Sequence, residues 1–319
     1  MATKMQSYSA ASAGHNTLSN EQAEFYQKVM LKRLKDNVVF MNYGKKQNIP
    51  KNSGAVTSFR RLEMPAVSTT AIVEGTTPDA LDLTINKVLA TVKQYGAWVK
   101  LTDFLNLAGL DPIITETSEM FGDHAALSMD IIVRDVIKAS TNKLFPGVKV
   151  ARSGLAAGDV LTNTVIMKAR ETMVKNNVPK IKLPNGQQGY LAFVSPETAT
   201  RIMGMQEWKD QNTYVDVKNR EQGIVGQMYG IYFLEATTAP KFTDGGSGAN
   251  LAGQQTIVIG ADAFAIPDIA GSGKPSILVH TKGNTENPLE LYSTVAWKSA
   301  FTSVILEDKR ILVIETLDV

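Results

Sequence analysis

The sequence predicts an α+β protein, and three observations carry that prediction. Residues 111–143, DPIITETSEMFGDHAALSMDIIVRDVIKASTNK, read as one long amphipathic helix. Residues 55–67 and 83–101 are rich in β-branched and aromatic side chains and flank a turn-prone segment at 74–80, the pattern of a two-stranded ribbon. Beyond residue 160, strand and helix patterns alternate as in an α/β lobe, and the chain closes in two strands.

The N-terminal region comes first. Residues 1–16 are rich in Ser and Ala, and Ser19 with Gln22 makes a capping-box pattern. It opens a predicted helix of about 19 residues, with Phe25, Val29 and Leu34 on one side and Lys28, Lys32, Arg33 and Lys35 elsewhere. A helix this short, followed by the polar segment NYGKKQNIPKNSG, has little core of its own and reads as an arm that docks. Charge is lopsided: residues 1–61 hold ten Lys/Arg and three Asp/Glu, the remainder 23 and 28, for a net charge of +2. The basic arm suits a polyanion or the acidic body of a neighbouring copy; the plainer reading is a solvated helix face.

In the ribbon, the run 83–101 would extend roughly 60 Å if unbroken, with Gly96 as the candidate bend. A ribbon of that reach cannot bury both faces in one small lobe, so it is expected to project and lie on another surface. The alternative is a hairpin in an ordinary sheet. For the long helix, Asp111 suits the N-cap and Pro112 the first helical position, and the next proline is Pro146, followed by Gly147. Glu116 and Glu119 precede Arg134, Lys138 and Lys143, the charge order that the helix dipole favours. One apolar stripe runs through Ile114, Phe121, Ala125, Met129, Ile132 and Val136, a second through Ile113, Met120, Leu127 and Ile131. Two stripes predict packing on two sides, and the length, about 45 to 50 Å, predicts a spine.

Further on, Thr162 or Asn163 caps a helix that stops before Pro179. A strand at 189–195 ends on Ser195, the expected N-cap of a helix starting at Pro196. Gly223, Gly226 and Gly230 precede a strand at 231–235, residues 241–255 read as a flexible surface loop, and another strand ends at Gly260. Two strands flank the turn at 307–310, and the last is apolar enough to be central.

The residue pattern carries no catalytic signature. The chain has no cysteine, which excludes disulfides and thiolate chemistry and fits a reducing compartment. His15, His124 and His280 lie far apart without ligand spacing, so no metal site is expected. GSGKPS fails as a Walker loop, because Pro275 occupies the Ser/Thr position and Asp268 that of the first Gly. The Gly223, Gly226 and Gly230 set lacks dinucleotide spacing, and GGSGA breaks the nucleophile-elbow pattern at Ala249. Tyr95 and Trp98, beside Lys93 and Lys100, fit base stacking less well than packing on a neighbouring strand. No apolar run approaches the roughly 20 residues of a membrane span, and the N-terminus lacks a signal-peptide core. No catalytic, cofactor-binding or metal-ligating residue is assigned.

The order of elements, with GAVTSFRRLEMPA, VEGTTPD, LATVKQYGAWVKLTDFL, IVRDVI, FVSPETA and QGIVGQMYGIYF, resembles the major capsid proteins of tailed bacteriophages with the Hong Kong 97-type fold, and within them the N-four-like family. The resemblance implies an N-terminal arm (1–54), an extended β-hairpin loop (55–101), a peripheral domain (102–160 and 291–319) holding the spine helix (111–145), and an α/β axial domain (161–290). It implies a non-enzymatic virion subunit without cofactor or membrane, assembled in the host cytoplasm as hexamers and pentamers into an icosahedral head. Its partners would be other copies of itself, double-stranded DNA held by non-specific contact, a portal and decoration proteins. Lys28, Lys32, Arg33 and Lys35 would then face the genome or a neighbour's acids, and Arg60, Arg61, Glu63, Glu74 and Asp79 would be inter-subunit contacts of the loop. An encapsulin-like cellular shell protein and a phage tail-tube protein are the alternatives.

Overall fold

The spine is a helix, Ile113–Ile137, in a computed structural model that describes residues 25–28, 30–31, 38–63, 65–71, 74–75, 77, 79–108, 113–183, 186–212, 224–248, 250–280 and 291–317. Asp111 and Pro112 lie outside these residues. The helix ends six residues short of Lys143. Ala139 and Ser140 donate to the carbonyls of Val136 and Ile137 in a closing turn, and the amide of Thr141 donates to the Asp308 carboxylate. Lys143–Leu144 then forms a short strand, β5, parallel to the last strand, with Lys143 opposite Val313. Ser, Thr and Asn side chains compete for helical backbone bonds, and a sheet ladder waits next to them. One face of the spine is buried through Phe121, Ala125, Met129, Val133 and Ile137. Of the second expected stripe, Met120 and Leu127 are exposed in the single chain, Ile131 is half-buried and Ile113 packs against the cluster around Phe121.

The described residues divide into two units. One comprises the described residues within 1–37, 94–126 and 274–299. Its sheet is formed by β4 (Lys93–Thr102), β14 (Tyr292–Phe301) and β13 (Ser276–His280), the last two antiparallel with Ile277 opposite Trp297. Alternation puts Tyr95, Ala97, Val99 and Leu101 on the inner face, where Trp297 and Val295 meet Phe121 and Ala125 of the spine and Met30 of the arm. His124 serves this packing: its Nδ1 accepts from the Trp297 indole nitrogen at 3.0 Å.

The expected strand 83–101 is two strands. β3 (Ile85–Thr91) pairs with β2 (Val56–Leu62), whereas β4 pairs with β14. The break falls at Val92, which packs against Ile49 and Ala300. Gly96 is not the bend. A Cβ on it would lie 2.5 Å from the Trp297 carbonyl, so it permits close approach of the neighbouring strand.

The other unit comprises the described residues within 38–93, 127–273 and 300–319. Its eight-stranded sheet runs β5, β16 (Ile311–Leu317), β11 (Leu251–Ile259), β7 (Gln188–Val194), β9 (Ile231–Glu235), β8 (Ile224–Met228), with β10 (Lys241–Gly245) on β11 and β6 (Ile181–Lys182) on β7. Every residue of β16 is buried, in keeping with a central place. Parallel pairing of β7 with β9 is the α/β signature, and Ser195 caps the helix Pro196–Gly204 by accepting from the Thr198 amide. The helix Asn163–Lys175 buries Val165, Ile166, Ala169 and Met173 in the same core. Residues 241–255 are not a flexible loop. They form most of the β10–β11 hairpin, because Phe242 and Leu251 fill a small core with Phe145, Leu155 and Leu317. Residues 38–49 add a 3₁₀ turn (Phe40–Tyr43) and β1 (Lys45–Ile49), parallel to β12 (Phe264–Ile269), which also pairs with β15 (Val304–Ile305).

Candidate assembly surfaces

The ribbon β2–β3 is a two-stranded sheet of its own. Arg60 pairs with Lys87 and Arg61 with Asn86 across it. The Glu63 carboxylate accepts from Arg61 at 2.9 Å and from Asn86 at 2.5 Å, so two expected loop residues, Arg61 and Glu63, are joined at one end of the ribbon. Glu74 and Asp79 are exposed in the irregular tip and are not brought to them. Between Met64 and Asn86 the sequence has Glu74, Asp79 and Asp82 and no Lys or Arg, so the tip is acidic. It is also apolar: Leu62, Val67, Leu81, Leu83, Ile85 and Leu89 each expose more than half of their surface.

In the arm, Lys28 is exposed, while Lys32, Arg33 and Lys35 lie outside the described residues. Met30 is fully buried, and Gln27 donates to the Pro275 carbonyl and accepts from the Ile277 amide, both at 2.8 Å. Residues 38–41 are held by an aspartate that the sequence did not single out. Asp130, buried on the spine, accepts from the amides of Val39, Phe40 and Met41 at 3.1, 2.7 and 3.3 Å, and from the Thr238 hydroxyl at 3.1 Å. Burial pushes its carboxyl above the ordinary value, more than the bonds from Met41, Phe40, Thr238 and Val39 pull it down. Three successive amides around one oxygen is an anion nest, and it fixes where this segment starts. Only spacing in space, not in sequence, reveals it.

A second buried carboxylate, Glu315 on β16, meets Arg152 at 2.5 Å, Gln255 at 2.9 Å and Lys143 at 3.1 Å. Tyr95 packs in the core as expected of a strand aromatic, whereas Trp98 faces outward, with Lys100 Nζ 5.5 Å from its ring centre. Among the described residues no group of three His, Cys, Asp or Glu is placed to hold a metal ion, and no helix is long and apolar enough to cross a membrane.

Solved structures with the same fold come from phage heads. The chain is similar to the capsid protein of Ralstonia phage GP4, with a TM-score of 0.69, 16% identity, and 99% of this chain and 95% of that one covered. It is similar to the cyanophage Pam1 capsid protein, at TM-score 0.62, 13% identity and 99% and 100% coverage. It is also similar to the head protein of Helicobacter pylori bacteriophage KHP40, at TM-score 0.63, 12% identity and 86% and 87% coverage. At such identities the likeness shows the fold, and that fold is the Hong Kong 97-type architecture expected from the sequence. No curated protein sequence matches the chain. The family model described as phage capsid protein matches residues 85–314, well over half of the chain. The chain belongs to the phage capsid protein family.

Proposed function

We propose that this phage capsid protein assembles as hexamers and pentamers into an icosahedral head around double-stranded DNA, acting as a structural component of the virion and not as an enzyme. The arm (1–54), extended loop (55–101), peripheral segments (102–160 and 291–319) and axial segment (161–290) divide the labour of contact between copies. Arg60, Arg61, Glu63, Glu74 and Asp79 meet a neighbouring copy, and Lys28, Lys32, Arg33 and Lys35 face the genome or a neighbour's acids. A portal and decoration proteins complete the particle, which forms in the host cytoplasm.

The observation that carries this reading is the ribbon. An isolated two-stranded hairpin is marginal in water, and this one leaves Val56, Leu62, Ile85 and Leu89 exposed. Its apolar side chains gain a burial partner when copies tile. The test is negative-stain microscopy of the purified full chain beside a variant lacking residues 71–80. Closed heads are expected from the former and dispersed single copies from the latter. Tubes, or heads formed equally well without the loop tip, would overturn the proposal.

A further inference from the structure

Apart from the arm, one stretch concentrates positive charge. Residues 143–182 hold eight Lys/Arg and two Asp/Glu, whereas residues 62–142 hold five and eleven, and residues 183–319 ten and fifteen. Three of the eight cations are neutralised where they stand, Lys143 on Glu315, Arg152 on Glu315 and Asp244, and Lys149 on Asp159. The other five, Lys168, Arg170, Lys175, Lys180 and Lys182, are exposed, and none has a carboxylate within ion-pair distance among the described residues. Lys168 and Lys175 are seven residues apart on the helix Asn163–Lys175, on the same face and about 10 Å apart along its axis. Two open grooves, of about 580 and 670 Å³, share Lys168. The first is also lined by Lys143, Lys149 and Arg152, the second by Arg170 and Lys175 with one acid, Glu171. Lys180 and Lys182 extend the charge to the β6–β7 hairpin.

We infer that this face binds the sugar-phosphate backbone of double-stranded DNA. The inference rests on the reading of the chain as a subunit of a DNA-filled shell and gives that reading a second surface besides the arm. Uncompensated like charges repel one another, so a partner that supplies negative charge stabilises the face. Two partners could do so, a duplex or an acidic region of another copy. Composition decides between them. Four of the five cations are lysines, which protein–protein interfaces deplete, whereas phosphates take lysine as a point charge without demanding a fixed geometry. A duplex carries a negative charge about every 1.7 Å, so cations spread along a helix and a hairpin find phosphates in any register. The contact positions the backbone and reads no sequence.

The test uses the full chain and a labelled 40-base-pair duplex of arbitrary sequence, with affinity measured over a series of salt concentrations. Neutralising Lys168, Arg170, Lys175, Lys180 and Lys182 together to Gln is expected to flatten the slope of log affinity against log salt by about 4.5, since each phosphate contact contributes about 0.9. A milder variant, Lys180→Gln with Lys182→Gln, should flatten it by about 2, and converting the four lysines to Arg should leave it unchanged. Unchanged slope and affinity in both Gln variants would overturn the inference. So would unaltered DNA binding with failed shell formation, which would assign the face to another copy. Microscopy of the same samples separates the two questions: heads that form while the slope stays constant sink this inference alone, and loss of heads from the unmodified chain sinks the shell reading.

Discussion

Glu315 exposes none of its side chain and is nevertheless placed among cations. Burial pushes its carboxyl up, but the hydrogen bonds from Arg152, Gln255 and Lys143 outweigh burial and hold it below its ordinary value of 4.5. A depressed acid contributes stability that is complete above the unfolded value and is lost as pH falls through the folded one. Glu315 therefore favours the fold at neutral pH and ceases to do so in acid below 4.5. Glu197, held down to about 2 first by the Lys241 hydrogen bond and then by its own amide, behaves the same way from the protein surface. Glu315→Gln leaves Lys143 without its carboxylate and Arg152 with Asp244 alone, and is expected to cost about 2 kcal/mol at pH 7. Denaturant unfolding of both proteins should show that difference shrinking between pH 7 and pH 3. An equal gap at both pH values would mean that the cluster contributes packing and not charge. None of this was legible in the sequence, where Glu315 lies in a hydrophobic strand and its partners are 60 residues away or more.

Among the elements, periodicity revealed type and order better than it revealed ends. The spine, the helix Asn163–Lys175, the Ser195 cap and the central last strand were all readable, because helix caps, prolines and apolar spacing are local signals. The spine's end at Ile137, the strand break at Val92 and the β10–β11 hairpin were not, since each depends on a partner distant in sequence. The arm's expected residues Lys32, Arg33 and Lys35 lie outside the described region, but its contact with the spine is visible at Gly122. A Cβ there would lie 2.7 Å from the Met30 carbonyl oxygen. Gly in a helix interior costs up to about 1 kcal/mol relative to Ala, so its place here fits the close approach of a second backbone. Gly122→Ala should therefore favour the isolated spine while pushing Met30 away. Faster tryptic cleavage after Lys28, with cleavage elsewhere unchanged, is the expected result. Unaltered cleavage together with a higher melting temperature would show that the arm does not bear on the spine at this point.

At the level of the whole molecule, the question is where the stability of the exposed apolar surface comes from. A side chain already in water contributes little to the fold of one copy, and surface substitutions away from special features change stability by about 0.5 kcal/mol or less. The same side chain buried between copies contributes roughly 1.5 to 3 kcal/mol, and in a shell every copy repeats the gain. Leu62 and Leu89, 63% and 66% exposed on the ribbon, are therefore expected to separate the two contributions. Replacing both by Ser should leave the unfolding free energy of dispersed single copies within about 1 kcal/mol of the unmodified chain, two surface changes adding independently. It should raise the protein concentration at which heads form by tenfold or more, since 1.4 kcal/mol per copy is already a factor of ten. Unfolding by denaturant below the assembly threshold and light scattering above it measure the two quantities on one preparation. A large loss of single-copy stability would place these leucines in the chain's own fold; an unchanged assembly threshold would mean that the ribbon's apolar surface stays in water even in the shell.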